Sequence, residues 1–151
     1  MNASAQTDVL SLTVTREFDA PRDLVWAAFT TPDMLREWWG PVPHPAVVID
    51  MDVRVGGAWR NCLRSVETGE DLWQDGVFTE VAPPERLVFT FAWEDDGERG
   101  QENEVILTFT DLGASTRLTL TQTPFVTEAQ RDGHGFGWNS SFDRLTDYLK
   151  G

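Results

Sequence analysis

Between about residue 45 and residue 123 apolar side chains recur at every second position, and beyond Thr127 they recur every third and fourth. Leu87, Phe89, Phe91 and Trp93 alternate with Val88, Thr90 and Ala92. Val105, Leu107 and Phe109 repeat the pattern, as do Leu118 and Leu120. A period of two predicts strands, and the short turns between them predict an antiparallel meander. After the capping box Thr127-x-x-Gln130, residues His134, Trp138, Ser141, Phe142, Leu145, Tyr148 and Leu149 form one stripe of a helix over 128–149. A sheet with one apolar face and a helix with one apolar stripe must bury against each other, with Trp138, Phe142, Leu145 and Leu149 toward the sheet.

The N-terminal part adds a strand and two short helices. Leu10, Leu12, Val14 and Phe18 share one strand face, on which Arg16 needs a carboxylate partner or water. Ala20-Pro21 and Thr31-Pro32 each start a short helix, and Gly40-Pro41 stops the second. Gly76, inside a strand, predicts a bulge or bend, and the charged stretch Glu94–Asn103 predicts an exposed hairpin loop. Residues 47, 49, 51 and 53 are expected on one strand face. The fold class is therefore α+β: a curved antiparallel sheet of about six to seven strands wrapped around a long C-terminal helix, with two short helices after the first strand. Residues 1–9 read as a flexible N-terminus and 10–151 as a single domain.

Composition narrows the function. The 151 residues carry 25 Asp and Glu against 12 Lys and Arg, a net charge of −13. That charge repels phosphate backbones and anionic headgroups, so neither nucleic acid nor a membrane surface is an expected partner. The single Cys62 fits a reducing compartment. Residues 1–8 show no leader pattern and no apolar run could span a bilayer, so the cytoplasm is the expected location. His44, Cys62 and His134 lack metal-ligand spacing, there is no Gly-x-Ser-x-Gly elbow, and no catalytic residue, metal or cofactor is expected.

Several spaced motifs, in order, resemble the activator of heat-shock protein 90 ATPase homologue-like family within the START-like (SRPBCC) superfamily. They are Glu17–Trp26, Glu37-Trp38-Trp39-Gly40-Pro41, Gly56-Gly57-Ala58-Trp59, Pro83–Phe89, and Gly133-His134-x-x-Gly137-Trp138-x-x-Ser141-Phe142-x-Arg144-Leu145. The resemblance covers about residues 10–150 and is closest to stand-alone bacterial members. It implies the helix-grip fold, also called Bet v-like, and a stress-related protein that binds a small apolar or amphipathic ligand. Two alternatives follow from the same kinship: a co-chaperone-like partner of a bacterial heat-shock protein 90 acting through its surface, and a metal-free cyclase or hydrolase of the polyketide-cyclase type. Fold alone does not choose among them.

A curled sheet gripping one helix leaves a gap where the two diverge. The expected ligand cavity is bounded by Trp59, Asn61, Phe89, Phe91, Gly137, Trp138 and Ser141. Asn61 shares an inward strand face with Trp59 and Leu63, and a buried amide needs a partner. Gly133, Gly135 and Gly137 each cost the helix roughly 1 kcal/mol against alanine. At Gly137 that cost is offset either by open space for a ligand or by close backbone packing. His134 reads as a satisfied structural histidine, and Cys62, between Arg60 and Arg64 on the opposite strand face, as an inert packing thiol.

Overall fold

The computed structural model describes residues 9–150; of the expected flexible N-terminus, residues 1–8 lie outside that range. The chain runs β1 (Leu10–Phe18), α1 (Arg22–Thr30), α2 (Pro32–Trp38), β2 (Ala46–Met51), β3 (Ala58–Arg64), β4 (Asp71–Ala82), β5 (Arg86–Asp95), β6 (Glu98–Arg99), β7 (Asn103–Asp111), β8 (Thr116–Phe125) and α3 (Glu128–Leu149). Every pairing is antiparallel. The sheet order is β1-β8-β7-β5-β4-β3-β2, with the short β6 paired to β5.

The capping residues act as the sequence implies, with one shift. Thr127 accepts from the Gln130 amide at 3.1 Å, while Gln130 Oε1 reaches back to Val126 N at 3.2 Å, one residue earlier than in the usual box. The apolar stripe of α3 then buries Trp138, Phe142 and Leu145 on the concave face of the sheet, and Leu149 packs half-buried at the edge of that core.

Two local expectations are corrected and one is refined. Glu94–Asn103 is the exposed hairpin expected, and its arms pair, with Glu94 opposite Arg99. Arg60 grips Glu94 through two hydrogen bonds of 2.9 and 2.8 Å, and Arg99 pairs with Asp75 at 2.6 Å. The Arg60 bonds hold the Glu94 carboxyl at about 2, well below its ordinary range. Gly76 is a point of close backbone approach rather than a bulge. A Cβ there would collide with the Thr90 carbonyl and the Trp59 indole, and the register shift falls between Phe78 and Glu80. Val47 is exposed rather than inward, because a second shift between Ala46 and Val48 rotates the start of β2 and leaves Ala46 and Ile49 buried.

Helix α3 does not lie evenly on the sheet. It rests on β1 and β8 and against α2. Gly135 lets it approach Leu12, whose Cδ1 lies only 3.2 Å from where a Cβ would be. Arg16 pairs with Asp143 at 2.9 Å, supplying the carboxylate partner that its position on β1 called for. Toward β3, β4 and β5 the helix and sheet diverge, and the space between them is the cavity described next.

Candidate functional site

A cavity of about 460 Å³ opens beneath the first half of α3. One wall is the helix from Ala129 to Ser141. The opposite wall is the sheet, through Leu63, Leu72, Gln74, Phe91 and Trp93. The loop from Trp39 to His44 closes one end. Two anchors tie that loop to α3. Val42 N donates to Ser140 Oγ at 2.9 Å. The Arg144 guanidinium donates to the carbonyls of Glu37, Trp39 and Gly40 at 3.1, 3.0 and 2.8 Å. Those carbonyls end α2, where a cation also meets the negative end of the helix dipole.

The cavity is aromatic and uncharged. Among the described residues that line it there is no Asp, Glu, Lys or Arg. Its indole N–H groups are turned to protein acceptors, so the rings present apolar surface. Trp39 Nε1 donates to Gln74 Oε1 at 2.7 Å, Trp138 Nε1 to Gln122 Oε1 at 2.8 Å, and Trp93 Nε1 to His134 Nε2 at 3.1 Å. Gln122 in turn donates to Asn103 Oδ1 at 2.8 Å, so the Trp138 tether ends in a satisfied buried chain. Ser141 Oγ donates to the Gly137 carbonyl within its own helix at 2.9 Å.

His134 is the structural histidine expected, and it also forms part of the wall. Burial lowers its pKa to about 4. Because Nε2 accepts from Trp93, the proton of the neutral ring is assigned to Nδ1. The folded-state pKa lies below the unfolded value of about 6.5, so the unfolded chain takes up the proton first. This contribution to stability is intact above about pH 6.5 and lost as pH falls toward about 4. Carboxylates titrate in the same range, so the comparison is with His134→Gln, which keeps an acceptor for Trp93 and does not titrate. Relative to that variant, wild type should lose roughly 1–2 kcal/mol between about pH 7 and pH 5 in denaturant melts. A difference independent of pH would contradict a buried neutral His134.

The residues expected to bound one cavity fall into two groups. Phe91, Gly137, Trp138 and Ser141 line the large cavity. Trp59, Asn61 and Phe89 line a separate inner one of about 20 Å³. Trp39 borders both and stands between them. A Cβ built on Gly133 or Gly137 meets no described atom within 4 Å beyond its chain neighbours and its own helix backbone, so of the two uses open to Gly137 the geometry supports space over close packing. The boundary expected from the sequence left out Trp39, Trp93 and His134, although the many tryptophans and the inward stripe of α3 pointed to them, and Gln74 was missed. Gln74 was within reach: on β4 it shares the inward face with Leu72 and Phe78, and a lone amide there carries the same signal as Asn61.

The remaining groups are quiet. Cys62 is buried, and its thiol pKa is raised, first by burial. Among the described residues no three His, Cys, Asp or Glu side chains gather as a metal would require, and no helix is long and apolar enough to cross a membrane.

Residues 19–150 match the family described as activator of Hsp90 ATPase homolog 1-like protein. The chain belongs to this family. No curated protein matches it. Among solved structures similar to it, the AHSA1 protein of Silicibacter pomeroyi is 28% identical with a TM-score of 0.83, covering 93% of this chain and 97% of that one. Protein Ms6760 of Mycobacterium smegmatis is also 28% identical, with a TM-score of 0.79 and coverage of 95% and 97%. CalU16 of Micromonospora echinospora is 26% identical at a TM-score of 0.70, covering 92% of this chain and 75% of its own. The curved sheet gripping a C-terminal helix is thus the fold of this family of activator of Hsp90 ATPase homolog 1-like proteins.

Proposed function

We propose that this protein binds a small, uncharged, largely apolar ligand in the cavity under α3. The observation that carries this reading is the lining: aromatic walls, indole N–H groups already paired, and no Asp, Glu, Lys or Arg among the described residues. An ionised ligand would lose its hydration there without finding a counter-charge, and the net charge of −13 adds repulsion for anions. The volume lies within the range of small-ligand pockets, about 300–1,000 Å³. Buried Cys62 is consistent with a reducing, cytoplasmic setting.

The co-chaperone reading, in which the surface stimulates a heat-shock protein 90, draws its support from the family description. The cyclase or hydrolase reading needs an acid–base pair facing the ligand, and the cavity supplies two histidines, His44 and His134, without a carboxylate.

A matched pair of dyes tests the ligand reading. N-phenyl-1-naphthylamine is neutral, and 8-anilinonaphthalene-1-sulfonate has a similar aromatic body with a negative charge. Titration of the full chain should give saturable, blue-shifted emission with the neutral dye, and binding at least about tenfold weaker with the anion. Equal affinity for both, or no saturable response to the neutral dye, would contradict an uncharged apolar site.

A further inference from the structure

Resting on the reading of the cavity as a ligand site, we propose that Asn61 and Gln74 form a hydroxyl-recognition subsite at its deep end, so that the ligand is an aromatic or polycyclic alcohol bound hydroxyl first. The two amides sit directly opposite each other in the β3–β4 register, on the inward face, each 2% exposed. Gln74 Oε1 accepts from Trp39 Nε1, and an indole N–H can only donate, so the orientation of the Gln74 amide is fixed. Its Nε2 donors are left on the cavity wall, with no protein acceptor among the described residues. Asn61 Oδ1 is the complementary group: it is fully buried and has no hydrogen-bond partner among the described residues. A buried acceptor left unpaired costs stability, so packing alone does not explain an asparagine here.

The inner cavity that Asn61 lines has room for about one oxygen-sized group. A buried water typically makes about three hydrogen bonds. Here the other lining residues are apolar or, like the indole N–H groups of Trp39 and Trp59, already paired. Within the inner cavity alone a water would find only the Asn61 amide, whereas a ligand hydroxyl is tethered by the rest of its molecule. At the Trp39 boundary between the two cavities a hydroxyl lies between Asn61, which lines the inner one, and Gln74, which lines the large one, and there it donates to Asn61 Oδ1 and accepts from Gln74 Nε2. A ketone or ether has no proton for Oδ1, a carboxylate is repelled by it, and an ammonium would be desolvated without a counter-ion. Trp39, bordering both cavities, marks the boundary at which the hydroxyl sits while the ring system remains among Phe91, Trp93 and Trp138.

Calorimetric titration of the full chain with 2-naphthol and with naphthalene tests this. Wild type should bind 2-naphthol about tenfold more tightly, beyond any difference in Asn61→Leu, where the preference should collapse to within about threefold while naphthalene affinity holds. The thermal midpoint of Asn61→Leu should match or exceed that of wild type, because the orphaned acceptor is gone; Asn61→Val serves should leucine overfill the inner cavity. Equal binding of the two compounds by wild type, or a preference that survives in both variants, overturns the subsite while leaving the cavity reading intact. Binding of neither compound removes the cavity reading and the subsite with it.

Discussion

Phe142→Ala is expected to destabilise the protein by about 3–5 kcal/mol. Phe142 is 0% exposed and stands where helix, sheet and the two short helices meet. Its ring lies 5.8 Å from Phe18 at 90°, 6.3 Å from both Phe29 and Trp38, and 5.8 Å from Trp138. Alanine would leave a void bounded by four aromatic rings, which are too large to collapse into it cheaply. A urea melt should show a lower midpoint with an unchanged slope. Phe142→Leu, which refills most of the volume, should cost clearly less. A loss below about 1 kcal/mol for the alanine variant would mean that α3 is not seated on the sheet as described.

Gly137→Leu should abolish binding of N-phenyl-1-naphthylamine while thermal stability holds or rises. Glycine in a helix interior costs roughly 1 kcal/mol relative to good helix formers, and leucine recovers most of that. Apart from its chain neighbours and the backbone of its own helix, the new Cβ meets no described atom within 4 Å, and the side chain extends into the 460 Å³ cavity that the dye would occupy. Gly135→Leu is the control from the same helix. There the new Cβ presses on Leu12, and overpacking should destabilise by roughly 1–3 kcal/mol. A destabilised Gly137→Leu protein that still binds the dye at wild-type affinity would contradict the placement of the ligand.

How far the sequence could be read follows from the range over which each signal acts. The change of period at Thr127 is local, and it fixes the long helix, the meander and the face each presents. Arg16 on an apolar face announced its need for a carboxylate or water, and the fold supplies Asp143. The β5–β6 hairpin was legible from its charged, Gly-containing stretch, but its ion pairs were not, because Glu94 and Arg99 look like solvated charges until Arg60 and Asp75 arrive from β3 and β4. The exposure of Val47 depends on a register shift against β3, which β2 does not encode by itself. Asn61 was legible as an inward amide. Its separation from Phe91 and Trp138 was not, because the partition is Trp39, a loop residue placed by hydrogen bonds from Arg144 more than 100 positions away. Gln74 shows the opposite case, a residue whose strand-face pattern was sufficient but whose meaning required Trp39 beside it.

The most direct test of the central claim is amide and indole NMR mapping during titration with N-phenyl-1-naphthylamine. The account predicts shifts concentrated on the amides of Gly133, Gly137 and Ser141 and on the indole N–H signals of Trp39, Trp93 and Trp138. Signals from Arg60, Trp73 and Glu94, on the far face of the sheet, should stay in place. Saturable shifts centred on that far face, or none under α3, would contradict the assignment of the cavity as the ligand site.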